Sequence, residues 1–187
     1  AYSIDMTDHG SAAASSLMNA LRATYDASIA VGYSPLVSTS IYCGEYSKQQ
    51  ILWVMAGNYA VSQGEYTGAE LRQMMEWLVN VKDNGANPIR HRNYMPVTSG
   101  MEYKVTEYEQ GKFRLEELTI NGAPLDDTAT YTVFVAGTDV WIENEVYCNC
   151  PMPENLKAKR TEYAIEGAES RSCLKDSLAV SKQFPAP

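Results

Sequence analysis

Basic side chains are scarce in this sequence: Lys and Arg number 15 against 23 Asp and Glu, and the formal net charge is −8. A chain of that sign repels a phosphate backbone instead of displacing its counterions, which argues against a nucleic-acid partner. Histidine is scarcer still, with His9 and His91 far apart in sequence. A dinuclear metal centre needs a tight cluster of nitrogen and oxygen ligands, and no such cluster can be assembled from the residues at hand. The cysteines, Cys43, Cys148, Cys150 and Cys173, contain a C-x-C pair but not the wider pairs that zinc favours. In an exported protein they allow disulfides in any of three connectivities, and buried thiols are the other reading. No apolar run approaches the roughly 20 residues that span a bilayer. Internal repeats, low-complexity tracts and an evident linker are also missing. The chain opens on Ala1 without a signal-like segment, as expected of a mature or trimmed piece of a longer protein.

What is present is enough for a core. With 187 residues and 45% hydrophobic content, one compact domain over 1–187 is the expectation. The organising stretch runs from Tyr66 to Val105. Thr67 and Glu70 have capping-box spacing, in which each side chain reaches the other residue's backbone N–H. Behind them Leu71, Met74, Met75, Leu78 and Val81 fall on one helical face, and Asn84 or Gly85 offers a left-handed stop. From Asn93 onward apolar and polar residues alternate as in a half-buried strand, broken at Ser99-Gly100.

The flanking segments supply further elements. Ala14, Leu17, Met18 and Leu21 mark a helix through about Tyr25, opened by Asp8 or Ser11. Ser28–Val31 reads as a buried strand, and Gly32 to Tyr46 as a loop long enough to carry function. Ser47 and Gln50 form a second capping box before a short helix that ends at Gly57-Asn58, and Tyr59 to Glu65 looks extended. Strands are predicted over Met101–Glu109, Phe113–Ile120 and Tyr131–Ala136. Asn121-Gly122 is a strong hairpin signal, with flanks that suggest a turn continuing through Pro124. Thr138 to Glu145 reads as a short helix, Tyr147 to Gly167 resists assignment, and Ser170 to Phe184 reads as helix. Helices mixed with antiparallel hairpins define an α+β fold with an antiparallel-rich sheet, not a doubly wound one.

Few residues suggest chemistry. Asp8-His9 lacks the spacing of a metallophosphatase ligand pair and suits a solvated N-terminal segment. Arg90-His91-Arg92 is the one local concentration of positive charge, able to take a phosphate or carboxylate, though a solvated loop is the favoured reading. Glu107 with Glu109 and Glu116 with Glu117 fit surface strand positions, with no spacing of a glycosidase acid pair. No catalytic or metal-ligating residue is assigned.

Four segments in order resemble the C-terminal domain of the 5'-nucleotidase and UDP-sugar hydrolase family. They are Thr67-Gly68-Ala69-Glu70-Leu71, Ser99-Gly100-Met101-Glu102-Tyr103, Leu118 to Asp126, and Tyr131 to Ala136. The resemblance covers about residues 11–140 and leaves 141–187 divergent. It implies a domain that grips a nucleotide beside a separate N-terminal metallophosphatase domain, which would carry the divalent metals; no cofactor is expected here. It also implies an exported, extracytoplasmic protein in nucleotide catabolism. The family's ligand words are replaced, however. Its Asn-Gly-Gly-Gly-Ile-Arg reads Gly32-Tyr33-Ser34-Pro35-Leu36-Val37, and its Leu-Pro-Phe reads Met55-Ala56-Gly57. Its Asn-Phe-x-x-Gly-Gly-Asp-Gly reads Gly137-Thr138-Asp139-Val140-Trp141-Ile142-Glu143-Asn144. Both stacking rings are thereby lost. The aromatics nearest those loops, Tyr33, Tyr59 and Trp141, with Asp139 as a hydrogen-bonding partner, are the candidate ligand residues. Each has an ordinary alternative as a packed ring with a satisfied polar tip. Two functions follow: an accessory substrate-binding domain, or a non-catalytic binding or scaffolding module that has lost nucleotide recognition.

Overall fold

The structure is a computed structural model, and it describes residues 12–33, 47, 49–50, 59–80, 96–109, 112–137, 152–169 and 173. In chain order these form α1 (Ala12–Thr24), β1 (Ile29–Tyr33), β2 (Ala60–Thr67), α2 (Gly68–Leu78), β3 (Pro96–Ser99) and β4 (Met101–Glu109). There follow β5 (Lys112–Ile120), β6 (Ala123–Pro124), β7 (Thr130–Ala136), α3 (Glu154–Glu162) and β8 (Ala164–Glu169). The main sheet has the order β3-β1-β7-β2-β8, and a smaller one has the order β4-β5-β6. Strands β1 and β7 are parallel, while the other described pairings are antiparallel. The α+β expectation holds.

Both faces of the main sheet are covered. Strand β7 buries Val133, Phe134, Val135 and Ala136 in succession, as a central strand must when each face meets protein. Phe134 and Ala136 pack with Ala30, Val61 and Val97 under α1, whose Ala14, Leu17, Met18 and Leu21 face the sheet at the spacing read from sequence. Tyr25 stacks on Phe134 with ring centroids 4.8 Å apart. Cys173 is buried in this cluster; Cys43, Cys148 and Cys150 lie outside the described residues. On the opposite face Val133 and Val135 pack with Ile29, Val31 and Tyr66 beneath α2 and α3. Met101, Leu118, Ile120 and Leu125 bring the base of the small sheet into the same cluster.

The capping box forms as expected. Glu70 N–H donates to Thr67 Oγ1 at 3.3 Å, and Thr67 N–H donates to Glu70 Oε2 at 2.8 Å. The next orphan donors of α2 also find partners: Gly68 N–H donates to Ala129 O and Ala69 N–H to Asp127 O. That contact needs the backbones to meet, because a Cβ on Gly68 would stand 2.1 Å from Asp126 O. The second motif glycine is constrained in another way. Gly100 has φ of +78°, and a Cβ there would stand 2.3 Å from Ser28 O. Ser99 donates its hydroxyl to Asn19 Oδ1 on α1, and Tyr103 donates its hydroxyl to Pro96 O at 2.7 Å.

Some expectations need correction. Helix α2 ends at Leu78, ahead of Asn84 and Gly85, because Asn80 stops it. Its Nδ2 donates to Glu76 O and to Phe113 O, and its Oδ1 accepts Phe113 N–H, so the side chain serves a helix carbonyl and a strand backbone together. The Asn121-Gly122 turn is tighter than its flanks suggest. Both residues have positive φ, at 51° and 80°, and Pro124 already pairs with Thr119, so the connection is a two-residue hairpin. Helix α3 and strand β8 fill the stretch that resisted assignment. The second box, Ser47 with Gln50, is made, while the helix it opens lies beyond the described residues after Gln50. The helices read over 138–145 and 170–184 also lie outside them, apart from helical Cys173.

Gly68→Ala and Gly100→Ala are each expected to lower unfolding stability by about 1–3 kcal/mol, the usual cost of overpacking against atoms that cannot yield. The left-handed backbone adds roughly 1–2 kcal/mol at Gly100. Urea denaturation of the purified variants reads this directly. A Gly68→Ala midpoint equal to wild type would contradict the close backbone approach.

Candidate functional site

The parallel pairing of β1 and β7 decides where the candidate site can be. Ile29, Ala30 and Val31 lie opposite Val133, Phe134 and Val135, so the two strands leave the sheet side by side at their carboxyl ends. Segments diverging from adjacent parallel strands leave a crevice where ligands can be received. Strand β2 begins at the same end, with Ala60 O accepting Gly137 N–H at 3.1 Å. Pro96 lies opposite Tyr33 there, and Glu169 opposite Ala60.

Two of the four candidate residues reach this end of the sheet. Tyr33 closes β1 in register with Pro96. Tyr59 immediately precedes β2 and is half-buried, packed against the α1-side cluster. That packing is the ordinary role weighed for it from sequence. Asp139 and Trp141 lie outside the described residues, as do Arg90-His91-Arg92. Gly32 is buried in β1 opposite Val97, so it offers a ligand no side chain. Among the described residues no group of three or more His, Cys, Asp or Glu is placed to hold a metal ion.

The opposite end of β2 carries a polar junction that the sequence did not signal. Lys159 on α3 donates to Glu70 Oε2 at 2.6 Å and to Glu65 O at 3.1 Å. Its ammonium also lies 5.4 Å from the centre of the Tyr66 ring, a cation–π contact. Tyr163 meets Tyr66 edge-to-face at 5.7 Å. Burial pushes the Tyr66 phenol up to about 12, with the nearby Ser62 hydroxyl pulling the other way. Neither of those buried hydroxyls has a partner in full hydrogen-bond geometry. Burial alone pushes Tyr103 up to about 12. For Glu70, burial acts to raise the carboxyl, but Lys159 and the two Thr67 bonds prevail and hold it below the usual range. Lys159 belongs to a helix with a single buried side chain, Leu156, so no apolar spacing could have revealed the pairing. The capping-box glutamate was legible; its second partner was not.

A mixed sheet covered on both faces, with a parallel pair opening at one end, defines an α+β domain. The family follows from the sequence itself. The model of the family described as 5'-nucleotidase, C-terminal domain, matches residues 5–138, and the chain belongs to that family. No curated protein sequence matches it significantly. Several solved structures share the fold at low identity. A 5'-nucleotidase precursor from Thermus thermophilus aligns with a TM-score of 0.60 and 16% identity over 88% of this chain and 31% of its own. The sulfate thiohydrolase SoxB of the same organism gives 0.56 and 16% over 89% of this chain and 29% of its own. The NAD nucleotidase of Haemophilus influenzae gives 0.53 and 16% over 67% of this chain and 23% of its own. The chain thus spans about a third or less of each of these structures.

Because Glu70 is held low in the fold, its charge contributes stability that is fully present above the unfolded carboxyl value and is lost as pH falls through the folded one. Glutamine keeps the capping box, so Glu70→Gln isolates the charge. The variant is expected to lose roughly 1 kcal/mol at neutral pH, and the gap to wild type should close as pH falls through and below the ordinary carboxylate range. Urea midpoints across that range decide it; a gap that stays constant into acid would remove Lys159 from the account.

Proposed function

We propose that this chain is the substrate-binding or accessory domain of an exported metallophosphoesterase of the nucleotidase kind. The family membership of residues 5–138 carries this reading. In it, a ligand is received beyond the carboxyl ends of β1 and β7, with Tyr33 and Tyr59 as candidate residues there and Asp139 and Trp141, which lie outside the described residues, as the candidates of the segment after β7. The ligand class is a nucleotide or a related small molecule, and a base stacked on an aromatic ring gains roughly 1–3 kcal/mol. An N-terminal metallophosphatase domain of the parent protein carries the divalent metals and the hydrolytic step. The residues of this chain do not fit that role, since it holds two histidines in all, and no step through a metal is derived from it. An extracytoplasmic location goes with the proposal. Among the described residues, no helix is long and apolar enough to cross a membrane.

A second reading has its own support. Gly32 and Val37 stand where the resembling family has asparagine and arginine, and Met55-Ala56-Gly57 where it has a stacking phenylalanine. A scaffold that has lost nucleotide recognition would show this pattern. Isothermal titration with AMP, adenosine and a UDP-sugar separates the two. Micromolar binding to any of them supports the first reading, and flat traces support the second. On either reading the purified chain is expected to release no phosphate from AMP with added divalent metal. Robust release would overturn both.

A further inference from the structure

Residues 152–169 are held to the rest of the fold differently from the strands they touch. Strand β7 pairs with β2 over seven consecutive residues, from Ala136 opposite Val61 to Thr130 opposite Thr67. Strand β8, on the other side of β2, pairs at Ala60 with Glu169 and at Ser62 with Ala164, with a register shift between them. Helix α3 has nine residues, starts at Pro153 without a side-chain cap and buries Leu156 alone. A helix of that length does not hold itself in water. Met152 is the other fully buried side chain of the segment, and β8 exposes or half-exposes every residue.

Three partly buried side chains add apolar contact, Tyr163 against the α2-side cluster and Ile165 and Ala168 against the α1-side one, and several polar attachments gather around the start of α2. Lys159 bridges Glu65 O and Glu70 Oε2. Asn155 Nδ2 donates to Gln73 Oε1 at 2.8 Å, and Gln63 N–H donates to Tyr163 O at 3.0 Å. The Tyr163 ring lies where a side chain on Gly64 would be, against the edge of Tyr66. Beneath it are the Ser62 and Tyr66 hydroxyls, both buried without a well-formed hydrogen bond. Lifting the segment forfeits two fully buried apolar side chains, Met152 and Leu156, against the four that β7 alone buries, and it gives two under-bonded hydroxyls to water.

We infer that residues 152–169 form a strap that opens as one unit while β3, β1, β7 and β2 stay paired, latched by Lys159 on the carboxylate that also caps α2. Opening frees the β2 edge and uncovers the Tyr66 ring. Segments with few buried apolar contacts open at lower free energy than the core they rest on, and here the latch joins the strap to the start of a core helix. The inference is independent of which ligand the domain receives.

Hydrogen exchange read by mass spectrometry on the whole chain tests it. Amides of 154–169 are expected to exchange at least about tenfold faster than those of 130–136. Lys159→Met should speed exchange in 154–169 by a further factor of several, leaving peptides from α1, β1 and β7 unchanged. Asn155→Ala, which removes a lesser attachment, should act in the same peptides more weakly. Equal protection of 154–169 and 130–136 in the wild type would overturn the inference. So would a Lys159→Met effect that is spread evenly over the chain or missing.

Discussion

Four successive side chains of β7, Val133 to Ala136, are buried, and the rest of the architecture depends on that fact. A strand alternates its side chains between two faces, so a run without polar residues requires protein on both. Helix α1 covers one face through Ala14, Leu17, Met18 and Leu21, and α2 with α3 covers the other. The strand's neighbours are then fixed as β1, parallel, and β2, antiparallel. That mixed pairing sends two chain segments out of the sheet at one end and brings a third in. The hydrophobic demand of a single strand thus sets which end of the sheet these segments share.

The motif residues that tie this chain to its family serve the framework. Thr67 caps α2, and Gly68 admits the backbone of the 126–129 turn. Ser99 ties β3 to α1, Gly100 turns the chain in a left-handed conformation, and Tyr103 fastens the small sheet to Pro96 O. Each of these roles is a contact within the fold.

How much of this was legible depended on what each residue answers to. Helix α1, the face of α2 and strands β1 to β5 and β7 follow from apolar spacing, because each presents a stripe or an alternation to the core. The capping box followed from Thr67 and Glu70 alone, since its bonds span three residues. Helix α3 and strand β8 escaped because their sequence has no stripe: Leu156 is one apolar contact among charges. The early end of α2 escaped for a similar reason, as Asn80 acts through Phe113, a partner far along the chain. Of the candidate ligand residues, Tyr59 was read in an extended stretch that β2 continues, whereas Tyr33, read as part of the loop after Val31, closes β1. What Tyr59 packs against was not readable, because contacts across the sheet leave no local pattern.

The parallel pairing of β1 with β7 also sets a schedule for making the protein. Ile29 meets Val133, its partner from near the other end of the matched region, so the sheet cannot close while the nascent chain is short. Loop closure over such a span is slow compared with forming α1 or the β4–β5 hairpin. Until β7 emerges from the ribosome, the apolar faces of α1 and β1 have no lasting cover, and that interval is when a holding chaperone would matter most.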